Sequence, residues 1–247
     1  MDKYLYLAMN GAAQAMLAQQ NNANNLANIS TTGFKANLDH FEANLVYGPG
    51  YSDRVYVTDE PAGANFTPGA IATTGRDLDL AINGDGWFAV QAADGSVDYT
   101  RRGDLRIDSS GLLLNGANQI VLDDGGPITI PQFDSLEIGR DGSISILAPG
   151  QAATTVVGVA RIRLVNPPLG QLVRGEDGLF RTRNGADVPA DAAVSVTSGA
   201  LESSNVNAVD AMVRMIDYAR YYEHQVKLMN LASENDAASA RLMRMSS

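Results

Sequence analysis

From Tyr4 to Phe34 the chain carries no charged side chain, although Asn and Gln crowd the stretch. A helix on the surface of a soluble monomer displays charge on its outer face. A membrane-spanning helix needs about 20 mostly apolar residues, and here Gln14, Gln19, Gln20, Asn21, Asn22, Asn24 and Asn25 interrupt the run. What remains is a helix enclosed by other protein, where a buried charge costs several kcal/mol but one amide satisfies another. The rest of the chain offers little helical material for that purpose. Further copies of the chain are the expected neighbours.

Within that run Leu5, Met9, Ala12, Met16, Gln19, Ala23 and Leu26 alternate by four and three, which predicts a helix from about Asp2 to Asn28 with an a/d seam. At ~1.5 Å per residue it would be about 40 Å long. Ala12, Ala13, Ala15 and Ala18 favour helix and allow close approach. Ser30-Thr31-Thr32-Gly33 ends it, with Gly33 supplying a turn. A second helix is predicted from about Val206 to Leu242, where Val209, Met212, Val213, Ile216, Ala219, Val226 and Met229 recur at three- and four-residue intervals. Its other face is charged through Arg214, Asp217, Arg220, Glu223 and Lys227, and Asn205 or Asn207 is positioned to cap it. Two long helices at opposite ends, each with one apolar stripe, imply that the ends pair.

Between them lie recurrent turn signals: Asn83-Gly84, Asp85-Gly86, Asp94-Gly95, Asn115-Gly116, Asp141-Gly142, Asp177-Gly178 and Asn184-Gly185. They separate short β-forming runs at Leu78–Ile82, Trp87–Gln91, Gly111–Leu114, Ile120–Leu122, Ile128–Ile130, Ser143–Leu147 and Val156–Val165. The predicted fold is mainly β with long terminal α-helices. An antiparallel barrel- or sandwich-like central domain, 76–190, is inserted between N- and C-terminal coiled-coil-like helices, 1–30 and 206–247. An extended connector containing a hairpin, with Pro49, Pro61 and Pro68, occupies 31–75 and returns through 191–205.

The chain offers little to an enzyme. It has no cysteine, so thiolate nucleophiles, disulfides and Cys-based metal sites are excluded. A net charge of −10 and an isoelectric point near 4.6 argue against a nucleic-acid partner. His40 and His224 have no companions at metal-ligand spacing. No nucleophile elbow, phosphate-binding loop or zinc-protease motif occurs. Asp85, Asp94, Asp141 and Asp177 sit beside glycine, where aspartate caps turns. Asp77 and Asp79 imitate the start of a calcium loop, yet Ala81 and Ile82 follow where ligands are needed. Trp87 beside Phe88 reads as core in a β run; stacking on a sugar is the alternative. Asn28-Ile29-Ser30 and Asn65-Phe66-Thr67 match the glycosylation pattern. The first twenty residues lack a basic segment followed by a continuous apolar one, so export, if any, is expected without a cleaved signal. No cofactor, metal or membrane insertion is expected.

Asn24-Asn25-Leu26-Ala27-Asn28-Ile29-Ser30-Thr31-Thr32-Gly33-Phe34-Lys35 closely resembles the signature of the bacterial flagellar rod and hook proteins. Gly199-Ala200-Leu201-Glu202-Ser203-Ser204-Asn205-Val206-Asn207 resembles the block that leads into that family's C-terminal helix. The middle is similar too, at Asp79–Ile82, Gly84–Phe88, Tyr99–Gly103 and Ile138–Gly142, so the resemblance covers the whole chain. Gln91–Gly95, Gly125–Pro131, Asp177–Arg181 and Ser233–Asp236 are more similar to the proximal-rod branch than to the distal-rod branch. The resemblance implies a non-catalytic structural subunit of the flagellar basal body. It would be exported through the flagellar type III apparatus and polymerise through its terminal helices into a torque-transmitting proximal rod crossing the periplasm. Its partners would be further copies and other rod proteins. It also implies a role in polymerisation for Asn24, Asn25, Leu26, Ala27, Asn28, Ser30, Thr31, Gly33, Phe34, Glu202, Ser204, Asn205 and Val206. Helix packing between subunits would fall to Leu5, Met9, Met16, Met212, Ile216, Val226 and Met229. A distal-rod or hook subunit, and a secreted glycan-binding β protein using Trp87, are the competing readings.

Overall fold

The computed structural model describes residues 2–38, 40–45, 55–60, 63–151 and 155–245. They fall into two compact units, one of 1–28, 37–65 and 206–247, the other of 29–36 and 66–205. Pro49, Pro61 and the His40 side chain lie outside the described set.

The first unit is built on two helices, α1 (Asp2–Ala27) and α2 (Ala208–Met245). The Asn28 amide closes α1 on the Asn24 carbonyl at 3.1 Å, and its side-chain Nδ2 donates to the same oxygen at 3.0 Å. Asn207 caps α2: its Oδ1 accepts from Val209 N at 3.0 Å and Asp210 N at 3.4 Å. Asn22 Nδ2 donates to Ala211 O at 2.7 Å, and Gly11 lies against the Gln225 side chain, so the helices run antiparallel. His40–Leu45 pairs antiparallel with Val55–Glu60, with His40 opposite Glu60 and Leu45 opposite Val55.

The interhelical seam is not the expected one. Ala8, Ala12, Ala15, Ala18 and Asn22 are the buried residues of α1, whereas Leu5, Met9 and Met16 are exposed. Of the predicted a/d set only Ala12 is buried. Small side chains let two helix backbones approach closely, and the larger apolar residues flank that contact instead of filling it. Among the described side chains of α2, Ala211 is buried; Met215, Tyr218, Gln225, Val226, Met229 and Ala232 are half-buried, and Met212 and Ile216 are exposed.

The second unit is antiparallel β throughout. Its main sheet runs Leu172–Arg174, Phe180–Thr182, Val97–Thr100, Trp87–Gln91, Ile120–Asp123, Leu113–Asn115, Leu105–Ile107, and this path does not close into a barrel. A three-stranded sheet, Ser135–Ile138, Ser143–Leu147 and Val156–Arg161, packs Leu136, Ile144 and Ile146 into a core shared with Leu80, Phe88, Val90, Leu113, Val121 and Leu164. Trp87 is buried in an aromatic group apart from that core: its ring meets Phe180 at 4.7 Å and Phe66 at 5.8 Å. Ser195–Ser198 pairs with Leu80–Asn83, and Ala200–Glu202 with Ile71–Thr73.

Six of the seven predicted Asn/Asp-Gly turns place their glycine at positive φ; at Asn115-Gly116 the left-handed residue is Asn118 (φ 64°) instead. Gly116 faces the Asp104 carboxylate, where a Cβ would collide. Asp94, Asp108 and Asp141 each accept from the backbone amide and hydroxyl of the serine two residues on, at 2.6–3.2 Å. That hydroxyl is the main reason their carboxyls sit below the usual aspartate range.

Candidate assembly site

The helical unit presents an unusual outer surface. Met9, Met16, Met212 and Ile216 are 52–58% exposed, and Leu5, Tyr6, Leu7, Leu17, Val209, Val213, Leu228 and Leu231 are exposed as well. A helix pair with its apolar residues turned outward is incomplete by itself, because amphipathic helices gain most of their stability from burying that face. Leu7, Ala8, Gln225, Leu228, Leu231 and Ala232 line a groove of about 760 Å³ along α1 and α2. Among the described residues no helix is long and apolar enough to cross a membrane. Val226 and Met229 are half-buried.

The amides of the N-terminal signature are turned onto backbone. Asn25 makes a two-point contact with Asn37: its Oδ1 accepts from Asn37 N at 2.7 Å, and its Nδ2 donates to Asn37 O at 2.9 Å. Asn24 Oδ1 accepts from Asn37 Nδ2 at 3.4 Å. Leu26 and Asn28 are half-buried, while Asn24 and Ala27 are exposed. The sequence signalled these amides by their density but did not indicate Asn37 as their partner.

The remainder of the signature lies in the β unit. Ser30 is exposed and Thr31 half-buried, whereas Gly33, Phe34 and Lys35 are buried. Gly33 (φ 65°) donates its amide to Glu202 O at 2.7 Å. The Phe34 ring lies 4.4 Å under the Arg174 guanidinium, which itself donates to Lys35 O at 2.7 Å. Lys35 Nζ is shielded from solvent and donates to Glu202 Oε1 at 2.7 Å and to Thr67 O at 3.0 Å. Glu202 Oε2 faces Arg101 Nη1 at 3.4 Å, and Arg101 Nη2 donates to Gly84 O at 2.6 Å. Burial holds the Lys35 ammonium and the Arg101 guanidinium below their ordinary pKa values, opposed in each case by Glu202. Asn205 Oδ1 accepts from Ala36 N at 2.7 Å and its Nδ2 donates to Thr67 O at 2.9 Å. Ser204 and Val206 are half-buried.

Sequence reasoning named Glu202 only through the resemblance and missed Lys35, Arg101 and Arg174 as its surroundings. A signal existed. Lys35 is the first charge after the uncharged run, and Glu202 is the lone charge between Asp191 and Asp210.

Residues 81–146 match the profile described as flagellar hook protein FlgE/F/G D1 domain, and 197–242 match that described as flagellar basal body rod FlgEFG protein C-terminal. The chain is 40% identical over 252 residues to the flagellar basal-body rod protein FlgF of Salmonella typhimurium, covering 100% of both chains. It is 41% identical to that of Escherichia coli, again over 100% of both. To FlgF of Caulobacter vibrioides it is 37% identical, covering 95% of each.

Proposed function

Because the chain belongs to the FlgF family of flagellar basal-body rod proteins, and is thereby a structural subunit of the basal body, we propose that it polymerises through the outward apolar faces of α1 and α2. The observation that carries this reading is the exposure of Met9, Met16, Met212 and Ile216 on a helix pair already joined through alanines. Burying each contributes roughly 1.5–3 kcal/mol. Several such contacts per subunit are needed to offset an association cost of about 4–15 kcal/mol. The faces on α1 and α2 are different surfaces, so a contact between them is head-to-tail, and one that fails to close a ring builds a helical tube.

In this reading residues 1–30 and 206–247 form the rod core, 31–75 and 191–205 the connector, and 76–190 the β domain. Leu5, Met9, Met16, Met212 and Ile216 meet neighbouring subunits. Val226 and Met229 support the pair from the half-buried side. Asn24, exposed at the end of α1, is the signature amide offered to a neighbour, while Asn25, Asn28 and Asn205 fix the backbone that presents the helices. The assembled product is the proximal rod, which carries torque across the periplasm, and the subunit reaches it through the type III export apparatus. No step requires catalysis.

The test is a combined Met9→Gln, Met16→Gln, Met212→Gln variant. Glutamine keeps helix propensity close to methionine's, so circular dichroism should be unchanged while basal bodies lack a complete rod and cells do not swim. Complete rods and normal swimming with this variant would reject the assignment.

A further inference from the structure

The ion cluster in the β unit has a property separate from whatever the helices bind. Its two cations precede its one anion along the chain: Lys35 and Arg101 against Glu202, with Lys35 167 positions before its partner. All three side chains are at most 3% exposed. Among the described residues Arg101 Nε has no hydrogen-bond partner, and Trp87 lies under the guanidinium at 5.6 Å, so without Glu202 this cation would be left with an aromatic wall, one carbonyl and the solvent-exposed Asp85.

The same carboxylate ties backbone. Glu202 Oε1 also accepts from Gly69 N at 2.9 Å, its carbonyl accepts from Gly33 N at 2.7 Å, and Ser203 N donates to Ala70 O at 2.8 Å. Three segments distant in sequence, 31–36, 66–70 and 198–205, are therefore fastened around one side chain. A buried charge whose partner is missing is strongly destabilising, whereas a fully apolar replacement of the whole cluster is close to neutral.

We propose that Lys35, Arg101 and Glu202 form a closure latch. Segments 31–36 and 66–70 reach their final places only when residues 198–205 arrive, because among the described residues Glu202 is the buried counter-charge for both cations, the other acid acting on them, Asp85, being exposed. The device makes folding of this region conditional on the C-terminal part of the chain being present. A subunit that emerges N-terminus first would thus keep the end of its signature block open until it is nearly complete.

The experiment is hydrogen exchange on the full chain, read in two ways. During refolding from urea with pulse labelling, the Gly33, Gly69 and Ser203 amides are expected to gain protection in one phase, after the Val90 and Val121 amides. Protection of Gly33 or Gly69 before Ser203 overturns the proposal. At equilibrium, Glu202→Gln is expected to speed exchange at Gly33, Gly69 and Ser203 by about 100-fold or more, and at Val90 and Val121 by less than about threefold. The triple variant Lys35→Met, Arg101→Met, Glu202→Met should return the first three to within about tenfold of the parent. No change in Glu202→Gln, or an equal loss at Val90, overturns the latch as well. Should a variant fail to fold, the refolding order of the parent chain still decides.

Discussion

Replacing Gly33 by alanine separates two roles of the signature glycine. Its φ is 65°, so alanine must adopt the left-handed conformation, at a cost of roughly 1–2 kcal/mol. An added Cβ would also fall within 3.0 Å of the Arg101 carbonyl and the Arg102 amide nitrogen, backbone atoms that cannot swing away as a side-chain tip can. Overpacking of that kind adds about 1–3 kcal/mol. Together the substitution should cost about 2–5 kcal/mol, a large share of a typical domain's 5–15 kcal/mol. Gly75 is the control: its φ is 74°, but nothing lies within 4 Å of its Cβ position, so alanine there costs only the conformational part. Trp87, the single tryptophan, is buried in the same unit and reports unfolding in urea by fluorescence. Gly33→Ala should lower the stability measured this way by about 1–3 kcal/mol more than Gly75→Ala. Equal losses in the two variants would refute the close-approach argument and leave backbone conformation as the whole effect.

Further expectations come from other parts of the molecule. Asn25→Ala removes both contacts to Asn37 and should cost about 1–3 kcal/mol in the helical unit, seen as faster exchange of the Asn37 amide and a lower melting temperature by circular dichroism. Gly11→Ala should be neutral or stabilising by up to about 1 kcal/mol, since a mid-helix glycine is replaced and the atoms it meets are the movable end of Gln225; a clear loss would show that contact to be rigid. The Asp141 carboxyl should titrate below 3.8 by NMR, and Ser143→Ala should raise it toward that value. A depressed folded-state pKa stabilises the fold above the unfolded pKa. Its contribution begins to fall as the pH drops through the unfolded aspartate pKa and is gone below the folded one, so Ser143→Ala should narrow that acid-side loss.

The turn chemistry was legible because it is local. An Asn-Gly or Asp-Gly pair favours its own turn backbone, and at Asn115-Gly116 the left-handed residue is Asn118 while Gly116 lies beside the Asp104 carboxylate next to the paired strand. Helix existence was legible for the same reason, through periodicity over many residues. The seam was not. Periodicity ranks positions by hydrophobicity, whereas the two helices meet where side chains are smallest: Ala12, Ala15 and Ala18, read as allowing close approach, are buried with Ala8, and Met9 and Met16 of the a/d pattern are exposed. The barrel alternative likewise exceeded the pattern: strand number and spacing do not state whether a sheet's ends meet, and here they do not.

By itself, then, the order of residues determined the two terminal helices, the β character between them, the want of charge along α1 and the resemblance that leads to the rod. Those properties belong to short windows of chain or to composition. Tertiary structure alone decided which apolar residues are spent inside the subunit and which are left outside. It also brought Lys35 and Arg101 to Glu202, since burial and pairing across 167 residues depend on how distant segments are placed, which no local pattern encodes.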